Sequence, residues 1–114
     1  MKRDARVYLH DMLEACRAIE RHVAGCTFAD YQHDRTIRSA VERELFIIGE
    51  AMTAIRRIQP QMMEHISDAA KIIGLRNQLA HAYFGVRDEE IWGVIEHSLP
   101  LLVRELESLL PDQR

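Results

Sequence analysis

The chain has 114 residues, 47% apolar and 29% charged, with a net charge of −3, five Gly and three Pro. That length fits one domain, residues 1–114, with a core of its own, and few aromatic, Gly and Pro residues favour helices over a sheet. The negative total excludes a global basic field of the kind that advertises nucleic acid. No apolar run approaches the ~18 residues of a spanning helix, so no membrane is expected. With no signal peptide read at the start, the expected setting is reducing and cytoplasmic.

The charge is uneven. Residues 1–59 carry ten Lys/Arg and nine Asp/Glu, whereas residues 87–114 carry three and seven, so the acidity sits in the last helix. The two cysteines, Cys16 and Cys26, form no CxxC pair, and no Cys/His spacing resembles a zinc site. His10, His22, His33, His65 and His97 form no i, i+4 pair. No metal and no cofactor are expected.

In chain order, Leu9, Met12, Leu13, Cys16, Ile19 and Val23 make the apolar stripe of a first helix over ~4–25, stopped at Gly25. The connection CTFADYQHD carries Phe28 and Tyr31, which should plug one end of the fold. Asp34 then caps a long second helix, ~34–59, that ends before Pro60. Its seam is Ile37, Val41, Leu45, Ile48, Met52 and Ile55, close to a heptad. A weaker strip on another side holds Ser39, Phe46, Gly49 and Thr53. A Gly in mid-helix costs roughly 1 kcal/mol relative to Ala. Either a second helix, from this or another subunit, packs closely there, or an exposed Phe stands beside a tolerated Gly.

Residues 60–66 read as a short helical turn or loop, and Ser67 is placed to cap a third helix over ~68–83 that Gly85 ends. Asp88 should cap a fourth, ~89–110, striped by Ile91, Val94, Ile95, Leu99, Leu102, Leu106 and Leu109, with Trp92 flanking. Pro100 falls inside that stripe and predicts a kink or break. The expected architecture is all-α: an antiparallel bundle of four main helices, with room for a short fifth.

The third helix carries LRNQLAHAYF, residues 75–84. At 100° per residue, Ile72, Leu75, Leu79 and Ala82 share the core face. Arg76 and Tyr83 lie together at its edge, while Asn77 and His81 share a strip facing away. Arg forks onto phosphate oxygens, and His exchanges a proton near neutral pH. These are the residue types expected where a phosphodiester is handled. Tyr83 also has a bland reading, as a boundary ring with its hydroxyl in water.

The string RNQLAHAY, with its Arg-x4-His-x-Tyr spacing, resembles the motif of HepT-like proteins within the HEPN superfamily. The likeness extends to IIGEA at residues 47–51, to IIGLRN before the site and to IWGVIEHSLPLL after it, and so covers nearly the whole chain. One departure is SDAAKIIG upstream of the motif, which lacks the aromatic residue often found there. The resemblance implies a homodimer whose two motifs line a shared groove. It also implies a metal-independent endoribonuclease toxin, with Arg76 and His81 catalytic and Asn77 supporting. Its antitoxin would be a minimal nucleotidyltransferase that silences it by transferring AMP to Tyr83. The alternative is a non-catalytic HEPN module serving as a regulatory subunit of that partner.

Overall fold

The structure, a computed structural model, describes residues 3–81 and 85–111. Among these residues six α-helical segments succeed one another: α1 Ala5–Val23, α2 Phe28–His33, α3 Arg35–Ile58, α4 Ala69–His81, α5 Asp88–Gly93 and α6 Leu99–Leu109. A 3-10 segment, Pro60–His65, precedes α4, and a π segment, Val94–Ser98, joins α5 to α6. Among the described residues there is no strand.

α1 starts at Asp4, whose carboxylate accepts from the backbone N–H groups of Arg6 and Val7 and satisfies donors that the helix itself leaves free. It stops just before Gly25, which adopts φ +76°, a conformation that other L-residues reach at a steric cost. Gly85, beyond α4, has φ +74°. The predicted stripe is the buried face of α1: Leu9, Met12, Leu13, Cys16 and Ile19 are all at most 2% exposed. On α3, Val41, Leu45, Ile48, Met52 and Ile55 are buried as the seam requires, while Ile37 is half-buried. α1 packs chiefly on α3, which also packs on α4. The start of α1 meets the end of α3, where Arg3, Ala5, Ile58 and Gln59 share one surface hollow, so the two helices run antiparallel.

Three local expectations need correction. The connection after α1 is itself a helix, because Thr27 and Asp30 form a reciprocal capping box. Its Tyr31 is fully buried, and Phe28 and Tyr31 pack on Trp92 with ring centroids 5.9 and 5.4 Å apart. The aromatic plug is therefore real, but helical. Ser67 is tied to α6 rather than committed to capping: its hydroxyl donates to Glu105 Oε2 at 2.6 Å. Asp88 is the first residue of α5 and not its cap. Arg87 takes the cap position without a side-chain bond, and Asp88, Glu89 and Glu90 supply acidic charge to the first turn.

Pro100 acts as its chemistry requires. It lacks an N–H, and its ring crowds the carbonyl four residues earlier. The run from Asp88 widens into the π segment over Val94–Ser98 before α-geometry resumes at Leu99. Ile91, Val94, Ile95, Leu99, Leu102 and Leu106 stay buried across it. Leu109 is half-buried, and Leu110 takes the final core place. α6 also returns to α1 through an Arg17–Glu107 ion pair of 3.3 Å.

Candidate functional site

α4 presents two faces, as the helical wheel requires. Ile72, Ile73 and Leu75 are buried, Leu79 is half-buried, and Asn77 and His81 are exposed. Arg76 lies between them, its side chain 23% exposed. Ala82, Tyr83 and Phe84 lie outside the described residues, and with them the expected pairing of Arg76 with Tyr83.

The Arg76 side chain is held by α3. Its Nη2 donates to Glu50 Oε2 at 2.9 Å. Its guanidinium carbon stands 5.0 Å from the centroid of the Phe46 ring, a cation–π arrangement. Its Nη1 donates to Asn77 Oδ1 at 3.0 Å. Gly49 lies underneath: a Cβ placed there would stand 2.6 Å from Arg76 Cγ and closer still to Arg76 Cβ. The absence of a side chain at Gly49 lets the two helices approach at this point. The strip of Phe46 and Gly49 thus has its close-packed partner, and that partner is α4 of the same chain. Thr53 turns its hydroxyl back to the Gly49 carbonyl at 2.9 Å.

A guanidinium has five N–H donors. Glu50 and Asn77 each take one, and Nε is buried with no hydrogen-bond partner among the described residues. Two Nη hydrogens remain uncommitted among the described residues. A carboxylate on one edge and a ring on one face fix the fork without consuming it, which suits a group that must meet an anion in a defined orientation.

Asn77 therefore contacts Arg76, while among the described residues the His81 side chain has no hydrogen bond or ion pair. Arg76 is turned onto α3 and His81 stands in solvent one turn later. The chain by itself thus brings Arg76, Asn77, Phe46, Gly49 and Glu50 together, with no contact from His81 to that cluster among the described residues. Sequence reasoning singled out Phe46 and Gly49 but gave Glu50 no role. The available signal was IIGEA, which carries the Gly and the carboxylate side by side. Among the described residues no group of three or more His, Cys, Asp and Glu is placed to hold a metal ion, and no helix is long and apolar enough to cross a membrane.

This is an all-helical fold displaying an Arg held by the preceding long helix and an exposed His five residues on. The family model described as "Ribonuclease HepT-like" matches residues 12–109. The chain belongs to the HepT-like ribonuclease family. Among its relatives is a protein named "Probable ribonuclease HepT" from Thermococcus cleftensis, 34% identical over 113 residues, covering 96% of this chain and 98% of that one. Another, named "Putative RNase TTE0752", from Caldanaerobacter subterraneus, is 32% identical over 111 residues, 96% of each chain. A third, named "Putative RNase MJ1216", from Methanocaldococcus jannaschii, is 30% identical over 111 residues, 97% of this chain and 91% of the relative. No solved structure matches.

Proposed function

We propose that the protein is a metal-independent endoribonuclease in which Arg76 and His81 carry the chemistry. The observation that supports this most is the Arg76 cradle: a guanidinium oriented by Glu50, Asn77 and Phe46, partly open to solvent and on the same helix as an exposed His. The relatives' names as ribonucleases point the same way.

RNA carries its own nucleophile, the 2′-OH. A neutral His81 takes its proton as the 2′-oxygen attacks the adjacent phosphorus. Charge grows on the non-bridging oxygens, where the two uncommitted Nη hydrogens of Arg76 stabilise it. The P–O5′ bond breaks, and the leaving 5′-oxygen takes a proton from a second imidazolium. The products are a 2′,3′-cyclic phosphate and a 5′-hydroxyl. Arg76 and His81 are ~140° apart around one helix, so a single copy does not easily converge them. A homodimer that sets the motifs of two copies across a two-fold axis supplies both the missing convergence and the second His81.

In the cell this activity would be that of a toxin whose antitoxin is a small nucleotidyltransferase transferring AMP to Tyr83. The added group brings bulk and negative charge to the place where the RNA phosphate should sit. Incubation with that partner and ATP should add one or more AMP units to the intact mass, and Tyr83→Phe should stay unmodified. Induced expression should arrest growth for the wild type, and not for His81→Ala or when the antitoxin is co-expressed.

One observation favours a second reading. Arg76 already has a carboxylate partner in Glu50, as a purely structural Arg would. A catalytically silent subunit of the same nucleotidyltransferase predicts complex formation with no RNA cleavage and no effect of His81→Ala on growth.

A further inference from the structure

A hollow of about 440 Å³ opens between the start of α1 and the outer face of α3. Tyr8, Phe46, Arg3, Arg43 and Arg57 line it, with Asp11 and Glu50 among the remaining residues. It is continuous with the Arg76 cradle, because Phe46 and Glu50 belong to both.

Its charges sort into two kinds. Asp11 is neutralised by Arg3 at 2.7 Å, and Arg3 also lies over the Tyr8 ring, 4.6 Å from its centroid. Glu50 is neutralised by Arg76. Both acids are thus paired, whereas exposed Arg43 and Arg57 have no hydrogen-bond or ion-pair partner among the described residues. The uncompensated charge of the hollow is positive, on a chain whose total is −3. Arg43, Glu50 and Arg57 follow one another at intervals of seven and so share one face of α3, with the two cations about 21 Å apart at 1.5 Å per residue. That distance spans several nucleotides. Two unpaired cations, aromatic side chains between them and an anchored Arg at the inner edge form the combination that tracks a single strand: charge for the backbone, rings for the bases.

We infer that this hollow is the binding site for the single-stranded RNA flanking the phosphate at Arg76, with Arg43 and Arg57 contacting the backbone. The inference rests on the ribonuclease reading for its ligand, but binding tests it separately from cleavage. A second copy of the chain is the competing occupant. Against it, the unpaired rim charges are both cations, which offer each other no complement across a two-fold axis.

The probe is a fluorescent single-stranded oligoribonucleotide, 2′-O-methylated throughout so that it lacks the nucleophile. Anisotropy is read from 50 to 300 mM salt with the full-length protein. Arg43→Ala/Arg57→Ala should bind more weakly whatever the sequence, and its log–log salt slope should be shallower by about 1.4, roughly 0.7 per lost contact on a single strand. The control Arg21→Ala/Arg104→Ala removes the same charge from exposed positions on α1 and α6 and should keep the parent slope. Equal affinity of the hollow variant and the parent overturns the inference, as does an equal loss of slope in the control. A change in mass by light scattering for the hollow variant overturns it in favour of contact between copies. Failure of the ribonuclease reading looks different: the parent binds the methylated strand but leaves the unmodified one intact.

Discussion

Gly49 of α3 lies against the root of Arg76 of α4: the Arg76 Cβ and Cγ occupy the space that a side chain at position 49 would need. A residue with no side chain thus fixes the seat of a residue with a long one. Gly49→Ala separates two effects of opposite sign. Ala favours a helix over Gly by about 1 kcal/mol, yet its methyl must displace the root of Arg76 and not a flexible tip. The expected net result is destabilisation of ~1–3 kcal/mol, read as a lower urea midpoint at unchanged slope. RNA cleavage should fall by more than the loss of folded protein explains.

Glu50 and Arg76 are joined at a surface where an ion pair is worth only ~0–1 kcal/mol of stability, since their side chains are 47% and 23% exposed. Its larger effect should be on orientation. Glu50→Ala is expected to unfold within about 1 kcal/mol of the parent and yet lose ~10–100-fold in single-turnover cleavage, the scale of a mispositioned catalytic group. Glu50→Gln keeps an oxygen that can accept from Nη2 and should recover most of the rate. Equal rates for Ala and Gln would mean that the carboxylate does not position Arg76.

Much of this was legible in the sequence, and the boundary has physical causes. The seam of α3 was readable because six apolar residues at steps of three and four sample about five turns. The asymmetry of α4 was readable for the same reason, down to exposed His81 and edge-lying Arg76. The helix of Phe28–His33 was not, because six residues give less than two turns of periodicity; its only signal was the Thr27–Asp30 box. Glu50 stayed without a role for a different reason. Which residue of α3 faces which residue of α4 is a property of two helices packed together, and neither pattern alone contains that register. Pro100 lay between these cases: its chemistry demanded a break, but not whether the helix would bend, stop or widen.

Burial of Cys16 between α1 and its neighbours makes a prediction at alkaline pH. Loss of hydration raises its thiol pKa from 9.0 to about 12, with Glu20 adding to the shift and Arg17 opposing it. Burial pushes Tyr31 up as well, reinforced by Glu42 and Asp88. Both groups ionise more readily in the unfolded chain. Their contribution to stability is therefore complete below pH ~8.5 and is lost as pH rises towards the folded values. The unfolding free energy should be flat between pH 7 and 8, as far as these groups decide it. It should then decline by up to ~1.4 kcal/mol per pH unit for each ionising group. Cys16→Ala should make the decline shallower. In the native protein at pH 8, a thiol reagent should modify half-buried Cys26 and spare Cys16 until denaturant is added.

The account stands most directly on cleavage of an unmodified single-stranded RNA in EDTA by the purified protein, compared with Arg76→Ala and His81→Ala. It predicts fragments ending in 2′,3′-cyclic phosphate for the parent. Each variant should lose activity by at least ~10²-fold, the scale of a general base or an anion-stabilising group, and His81→Ala, altered at an exposed position, should keep the parent's melting curve. Cleavage by His81→Ala at the parent's rate, or no cleavage by the parent itself, would contradict it.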